Sequence, residues 1–294
     1  MRISYFAGNT VLITGASAGI GCEFARQLAP VARKMILVAR RTDRLEALES
    51  ELKVINPGLE LFSRSLDLRH QAELERLCHW LDESGLTIDL LINNAGVGDH
   101  GPFIESEWER VDSMLQVNMC ALTYLTFRVL PAMRKAGEGA ILNVSSVAGL
   151  LPLPNSAVYA ATKAYVTSFS EAIRAELRSS NISVTALCPG PVETEFLARA
   201  TRGSDCQKHN APNCFVVSAR EVVRQALVAV TKGRASVIPG VLVNLATTII
   251  AFLPMFIKRL VYNAQAKHQA KKPRSQEFED SRSLESLKSK SVSK

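Results

Sequence analysis

The amino-acid sequence predicts an α/β fold, a doubly wound parallel sheet with helices on both faces. Short apolar segments alternate with segments whose leucines recur at helical spacing, which is the order of repeated strand–helix–strand units. The segment Ile88–Ile92 contains only one polar residue, as expected of a strand that helices cover on both faces. Glycine-rich or polar turns follow several of these strands, and open α/β sheets hold their reactive groups at such turns.

Composition and charge argue against a nucleic-acid-binding protein and indicate how the chain is divided. The chain has 294 residues, of which 47% are hydrophobic and 21% charged, and its net charge is +7. Residues 264–294 hold eight Lys or Arg against four Asp or Glu, so most of the positive charge lies in this tail. Because the body is only mildly basic, no nucleic-acid partner is expected. We expect a catalytic domain over 1–236, an apolar segment over 237–262 and a disordered basic tail over 263–294.

Cysteine usage indicates a reducing compartment. The six cysteines are scattered along the chain, and several lie in apolar segments. This pattern favours reduced, buried thiols and a cytoplasmic location. Cys206, His209 and Cys214 lie close together, but their spacing matches no standard zinc pattern, so no metal is expected. The segment before the first strand is too short for a signal peptide.

The first predicted strand, Thr10–Thr14, is followed by a glycine-rich turn and a helical segment that extends to about Arg33. A phosphate-binding loop requires this context. The glycines let the backbone approach a pyrophosphate, and the helix N-terminus supplies N–H groups and a positive dipole. An ordinary βα turn is the alternative, since the spacing is G-x-x-x-G-x-G and not G-x-G-x-x-G.

Two arginines, Arg40 and Arg41, follow the second predicted strand, Lys34–Ala39. At this distance from the loop, an acidic residue would bind a ribose 2′-hydroxyl, whereas an arginine accommodates a 2′-phosphate. The sequence therefore favours NADP over NAD, with a pair of solvated cations as the alternative. Asp67 and Leu68 end the third predicted strand, where they could contact an adenine edge.

The second half of the chain carries polar residues at strand ends and one at a predicted helix break. The fourth strand ends in Asn93-Asn94-Ala95-Gly96, and a long helical region over Glu105–Lys135 is expected to break near Asn118. Asparagine is disfavoured inside helices because its side chain competes for backbone groups, so Asn118 is a candidate functional residue. Three further elements are predicted: a strand over Gly139–Val144 before Ser145 and Ser146, a helix over Ala157–Arg178, and a strand over Ile182–Cys188.

Tyr159 and Lys163 lie four residues apart on this predicted helix, so their side chains leave the same face. A free phenol has a pKa near 10, and a neighbouring ammonium lowers it toward the working range. Such a pair can exchange a proton with a carbonyl or alcohol oxygen. Alone, a surface tyrosine beside a solvated lysine is the commoner reading.

Six motifs, taken in order and spacing, resemble the classical short-chain dehydrogenase/reductase family over about Asn9–Ser236. They are Thr14-Gly15 with Gly19-Ile20-Gly21, Asn93-Asn94-Ala95-Gly96, Asn118, Ser146, Tyr159 with Lys163, and Pro189-Gly190. The resemblance implies a Rossmann fold with a seven-stranded parallel sheet, a nicotinamide cofactor, and hydride transfer to or from a carbonyl carbon.

Residue roles carry over from this resemblance. Tyr159 resembles the general acid, Lys163 the residue that lowers its pKa and holds the nicotinamide ribose, and Asn118 the anchor of a relay water. Ser146 resembles the serine that binds the substrate oxygen, with Ser145 as second choice. The residues expected to contact the cofactor are Gly15, Ser17, Gly19, Ile20, Gly21, Asn94, Pro189, Gly190, Val192 and Thr194, besides Tyr159 and Lys163. Some NADP-using members carry a basic residue where this chain has Ala18, so the NADP prediction depends on the two arginines.

The expected substrate wall is apolar. It comprises Leu150, Leu151, Leu153 and Pro154, with Phe196, Leu197 and Phe215 from the loop over 192–215. No Arg or Lys cluster indicates a phosphorylated or acidic substrate, so a lipophilic ketone, aldehyde or alcohol is expected. Core packing without substrate contact is the alternative.

Near the C-terminus, residues 237–257 carry no charge. A membrane span is disfavoured because prolines, a glycine and polar residues interrupt this segment. The spacing of Leu242, Leu245, Ile249 and Phe252 predicts a C-terminal amphipathic helix, which either covers the substrate pocket as a lid or lies at a membrane surface.

Two further expectations concern function and assembly. The leading hypothesis is an NADP(H)-dependent oxidoreductase, and the alternative is a non-catalytic NADP(H)-binding regulatory or scaffold protein. The intact Tyr159 and Lys163 favour the enzyme. By resemblance, the two long helices near 118–135 and 157–178 would form a four-helix bundle between copies, giving a homodimer or homotetramer.

Overall fold

The computed structural model describes residues 3–201 and 215–260. Seven parallel strands form one sheet in the order β3-β2-β1-β4-β5-β6-β7. Their bounds are β1 Thr10–Thr14, β2 Lys34–Ala39, β3 Glu60–Ser65, β4 Leu90–Asn93, β5 Gly139–Val144, β6 Ile182–Leu187 and β7 Ser236–Val237. The predicted seven-stranded, doubly wound sheet is confirmed.

Nine α-helices lie within the described residues. They are α1 Gly19–Leu28, α2 Thr42–Ile55, α3 Gln71–Ser84, α4 Trp108–Leu115, α5 Leu122–Ala136, α6 Ala157–Glu176, α7 Glu195–Ala200, α8 Ala219–Thr231 and α9 Val241–Phe252. Helices α1, α2 and α8 cover one face of the sheet, with Phe24, Leu48 and Leu227 in the core. Helices α3, α5 and α6 cover the other face. The central strands between them are mostly apolar because both faces are buried, whereas the edge strand β3 is more polar and partly exposed.

The boundaries of two elements, β4 and α1, differ clearly from the predictions. Strand β4 begins at Leu90 and not at Ile88. Just before it, the carboxylate of Asp89 accepts the backbone N–H of Thr10 at 2.7 Å. Helix α1 ends at Leu28, well before Arg33. The expected break near Asn118 is confirmed as a π-helical turn, Gln116–Ala121, between α4 and α5.

The strand order creates a crevice between the ends of β1 and β4. The chain winds outward from β1 to β3 and then returns to β4, beside β1. Asn94 ties the two strand ends together, since its side-chain Nδ2 donates to the carbonyl oxygens of Thr14 at 2.8 Å and Gly15 at 3.2 Å. Ligands of open α/β folds bind at such a switch point.

Helix α9 packs with a different face from the one predicted. Val243 and Thr247 are buried, whereas Leu242, Leu245 and Ile249 are more than half exposed. A Cβ on Gly190 would lie 2.8 Å from Val243 Cγ1, so the glycine permits this close packing. The leucine face of α9 is therefore the exposed one, and the role of 237–262 as a lid or a membrane-interface segment stays a prediction. No helix among the described residues is long and apolar enough to cross a membrane.

Two compact units divide the chain between Ala251 and Phe252. The first unit holds the whole sheet and helices α1–α8. The division into 1–236, 237–262 and 263–294 stays a prediction, and the tail from 261 onward lies outside the described residues. Cys206, His209 and Cys214 also lie outside them. Elsewhere, the described residues contain no group of His, Cys, Asp or Glu that could hold a metal ion.

Candidate active site

A cavity of about 1030 Å³ opens at the carboxyl edge of the sheet. Every predicted site residue lines it except Gly21 and Asn118, which lie behind its wall. The cavity thus runs from the arginines after β2, past the glycine-rich loop, to the residues after β5 and on α6. Predicted site residues from both halves of the chain therefore line one cavity.

The glycine-rich loop is shaped to receive a phosphate. Gly15 and Gly19 have φ angles of +67° and +55°, which other residues rarely adopt. A Cβ on Gly21 would overlap the carbonyl oxygen of Gly15, so only glycine lets α1 approach the loop this closely. The N-cap of α1, Ala18, has no side-chain hydrogen bond. The first N–H groups of the helix therefore remain available to an anion, which fits a dinucleotide pyrophosphate.

The arginines at the other end of the loop differ in their contacts. Arg41 Nη2 donates to the carbonyl and hydroxyl oxygens of Ser17, each at 3.4 Å, which holds the guanidinium beside the loop. Arg40 is half exposed and lies 3.9 Å from the carboxylate of Asp67. That carboxylate is bound more closely by Arg69 at 2.8 Å. Arg40 and Arg41 both line the cavity near the pyrophosphate loop, and such a pair of cations fits an adenosine 2′-phosphate.

Ser146 and Tyr159 meet at the deeper end of the cavity. Ser146 is the second residue after β5, and its Oγ accepts the backbone N–H of Ala148 at 3.1 Å. Its hydroxyl also hydrogen-bonds the phenol of Tyr159, which projects from the first turn of α6. A substrate oxygen placed against both hydroxyls would receive two hydrogen bonds.

Ser145, the second choice, lies in a different environment. Its Oγ donates to the carbonyl of Lys163 at 2.8 Å and shares a 2.7 Å hydrogen bond with Thr167 Oγ1. These bonds direct Ser145 to the backbone of α6, whereas Ser146 faces Tyr159. The geometry supports Ser146 as the substrate-binding serine.

Lys163 is buried one turn beyond Tyr159. Its Nζ donates to the carbonyl of Val144 at 2.8 Å and lies 5.8 Å from the centroid of the Tyr159 ring. Burial lowers the pKa of Lys163 to about 8 and raises that of Tyr159 to about 12, an increase that the hydrogen bond with Ser146 partly offsets. Burial is the larger of the two influences on the Tyr159 pKa, and the lowering of that pKa by Lys163 stays a prediction. At neutral pH the phenol is a proton donor.

The side chain of Asn118 fastens the wall of the site. Its Oδ1 accepts the N–H of Val97 at 2.9 Å, and its Nδ2 donates to the carbonyl of Val97 at 2.9 Å and to Thr162 Oγ1 at 3.0 Å. Thr162 in turn donates to the carbonyl of Tyr159 at 2.8 Å. The π-helical turn thus connects the loop after β4 with the turn of α6 that carries Tyr159. A role for Asn118 in holding a relay water stays a prediction.

The predicted substrate wall is only partly present. Phe196 lies against Tyr159 with ring centroids 5.7 Å apart, and Leu153 and Leu197 also line the cavity. The other predicted wall residues, Leu150, Leu151, Pro154 and Phe215, are not among the lining residues, and neither is any residue of α9.

Two residues of the site were not predicted from the sequence. Thr162 supports Asn118 and Tyr159, and Glu195 binds Arg41 with Nη1 to Oε2 at 3.2 Å. Thr162 lies between Tyr159 and Lys163 in the sequence, so its position in that motif could have marked it as a site residue. Nothing in the sequence connects Glu195 with an arginine 154 positions away.

Together, the doubly wound sheet, the phosphate loop and the Ser146–Tyr159–Lys163 group define a dinucleotide-binding oxidoreductase. Residues 9–205 match the short chain dehydrogenase family over most of the chain. The chain therefore belongs to that family, as the motifs predicted.

Individual relatives support this assignment. The chain is 37% identical over 201 residues to the NADP-dependent 3-hydroxy acid dehydrogenase YdfG of Salmonella typhi, covering 66% of this chain and 77% of the relative. Among solved structures, a short-chain dehydrogenase from Sphingobium yanoikuyae in complex with NADPH is 32% identical, with a TM-score of 0.70 over 91% of this chain and 98% of that one. The bulky-bulky ketone specific alcohol dehydrogenase from Comamonas testosteroni is 27% identical, with a TM-score of 0.68 over 91% and 96%.

Proposed function

We propose that the chain is an NADP(H)-dependent oxidoreductase that interconverts a lipophilic ketone or aldehyde and its alcohol. The observation that carries the proposal is the single cavity in which Ser146 and Tyr159 meet beyond a phosphate loop and two arginines. Two of the relatives described above carry NADP or NADPH in their names. NADP(H), when bound, supplies or accepts the hydride.

The protein's own residues handle the substrate oxygen and its proton. Ser146 and Tyr159 hold the oxygen between two hydroxyl groups. Because burial keeps the phenol of Tyr159 neutral, it can donate its proton as negative charge develops on the oxygen. Lys163 is mainly an ammonium at pH 7, and its positive charge favours the phenolate that remains. These properties suit carbonyl reduction at neutral pH.

The substrate class rests on the apolar residues beside the catalytic tyrosine. Phe196 contacts the Tyr159 ring, and Leu153 and Leu197 extend the same wall. A ligand that covers these side chains gains about 25 cal/mol per Å² of apolar surface removed from water. Two of the relatives described above are named for 3-hydroxy acids and for bulky ketones, so the lipophilic preference depends on this wall alone.

Substitution of the proton donor tests the enzyme assignment. The full chain given NADPH and a panel of lipophilic ketones should oxidise NADPH, and Tyr159→Phe should lower kcat by about 100-fold to 10,000-fold, the usual contribution of a general acid. NADPH binding should change little, because the phenyl ring keeps its packing against Phe196. Turnover by Tyr159→Phe at the wild-type rate would refute the proposed role. A wild-type chain that binds NADPH without turning over any ketone or alcohol would favour the scaffold alternative.

We also propose assembly into a homodimer or homotetramer through α5 and α6, in the cytoplasm or peripherally at a membrane. Helix α5 exposes Phe127, whose side chain is 69% accessible and would be covered by a second copy. Sedimentation at micromolar concentration should give a mass of two or four chains, and Phe127→Glu should lower it. A wild-type monomer would contradict this proposal.

A further inference from the structure

Glu195, the first residue of α7, is the centre of an ion-pair cluster at the arginine end of the cavity. Its carboxylate accepts from Arg41 at 3.2 Å, from Arg44 at 2.5 Å and from Arg199 at 2.7 Å. Arg41 and Arg44 lie on either side of the start of α2, whereas Arg199 belongs to α7 itself. One carboxylate therefore joins the region after β2 to the region after β6.

The ion-pair cluster lies where the 2′-phosphate of the cofactor would bind. Arg41 is also bound to Ser17 of the phosphate loop, so its guanidinium faces the place where a 2′-phosphate is expected. Glu195 presents a carboxylate to the same guanidinium. Both Arg41 and Glu195 line the cavity. A carboxylate of the protein thus lies where the 2′-phosphate of a bound cofactor is expected.

The residue after Glu195 contacts the catalytic group. Phe196 lies against the Tyr159 ring, and a Cβ on Gly98 would meet its ring at 2.8 Å. Thr194, whose hydroxyl caps α7, approaches Gly19 of the phosphate loop. Three consecutive residues at the start of α7, Thr194 to Phe196, therefore contact the phosphate loop, Arg41 and Tyr159 in turn.

We propose that Glu195 competes with the 2′-phosphate of NADP(H) for Arg41 and thereby limits the preference for NADP(H) over NAD(H). This inference rests on the proposed function. A phosphate that binds Arg41 must displace the carboxylate or accept it as a neighbour of like charge, and both lower its affinity. A cofactor without the 2′-phosphate leaves the pair of Arg41 and Glu195 undisturbed.

Calorimetry with two small ligands tests the inference on the full chain. Adenosine 2′,5′-bisphosphate and adenosine 5′-monophosphate differ only in the 2′-phosphate, and neither can react. Glu195→Gln should tighten binding of the bisphosphate by about threefold to tenfold, since exposed ion pairs contribute little each but act here together. Glu195→Ala, which removes the remaining acceptor, should tighten it at least as much. Binding of the monophosphate should stay within twofold, roughly the error of the measurement.

Glu193→Gln is the matched control. Glu193 lies two residues away and is exposed, and no ion pair joins it to the residues that the structure describes. It should leave both affinities unchanged. If Glu195→Gln weakens bisphosphate binding, the carboxylate positions Arg41 instead of competing for it, and the inference is wrong; unchanged binding overturns it equally.

The wild-type chain separates this inference from the proposed function. If it binds both ligands equally, the NADP(H) preference itself is refuted. If it prefers the bisphosphate, and Glu195→Gln leaves that preference unchanged or lowers it, only the role of Glu195 is refuted.

Discussion

The two ends of the cavity are built from different interactions. At the arginine end, Arg40 and Glu195 are partly exposed and paired with charged groups across the opening. At the catalytic end, Lys163, Asn118 and Ser146 are nearly inaccessible, and hydrogen bonds to backbone groups fix each of them. Exposed ion pairs exchange partners at small cost, whereas buried hydrogen bonds do not. The comparison indicates a cofactor end that adapts to its ligand and a catalytic end that is preorganised.

The largest effects are expected where a preorganised group touches the substrate. Ser146→Ala should lower kcat by about 100-fold to 1,000-fold, the usual cost of losing one donor to a developing oxyanion. Ser145→Ala is the matched comparison one residue earlier, because it removes bonds to α6 and none to the substrate. It should lower the free energy of unfolding by about 1–3 kcal/mol with a much smaller loss in kcat. Steady-state kinetics and urea unfolding measure the two quantities, and a reversed order of kcat values would mean that Ser145 is the catalytic serine.

An intermediate effect is expected at the adaptable end. Arg41→Ala should weaken NADPH binding by about 10-fold to 100-fold through loss of charge-assisted hydrogen bonds to the 2′-phosphate. Arg40→Ala should act in the same direction but more weakly, because Arg40 is half exposed and lacks the contact with Ser17. NADH binding should change little in both variants. Fluorescence titration with each cofactor measures this, and equal losses for NADPH and NADH would mean that neither arginine reads the phosphate.

A smaller effect on kcat is expected from a change in pH, because Lys163 is a buried cation whose pKa is about 8. Burial lowers the pKa of Lys163 to about 8, so the ammonium loses its proton as pH rises through that value. Tyr159 stays neutral over the same range, since its pKa is raised to about 12. The kcat of ketone reduction should therefore fall about tenfold per pH unit above pH 8. A profile that is flat from pH 7 to 10 would mean that the charge on Lys163 is not required.

The lowered pKa of Lys163 also predicts that the free energy of unfolding changes with pH, in the direction opposite to the change in kcat. The ammonium of Lys163 is disfavoured in the folded protein relative to the unfolded chain. Between about pH 8 and pH 10.4, the unfolded chain therefore binds more protons at this residue, and its contribution to the free energy of unfolding rises with pH. Activity and stability should diverge in this window, which separates loss of the catalytic cation from unfolding.

The sequence predicted the sheet, and the residues that meet in the cavity, better than the contacts at the arginine end. Strand positions and the Tyr159–Lys163 pair follow from local patterns, and the unfavourable Asn118 correctly marked a break in the helix. The pair of Arg41 with Glu195 depends on how two distant loops meet, which no local pattern records. The buried face of α9 could not be predicted for a related reason. Its leucine face is the more apolar, but Val243 on the opposite face is the side chain that packs against Gly190.

The smallest effects are expected on the exposed face of α9. Leu245 is 57% accessible, so Leu245→Gln should change the free energy of unfolding by no more than about 0.5 kcal/mol. Val243, on the buried face, packs against Gly190, and Val243→Ala should cost about 1–3 kcal/mol because a cavity remains beside the glycine. Urea unfolding of both variants measures the difference. A larger loss for Leu245→Gln would mean that the leucine face is covered in the folded protein, either by a second copy or by the pocket as the sequence first predicted.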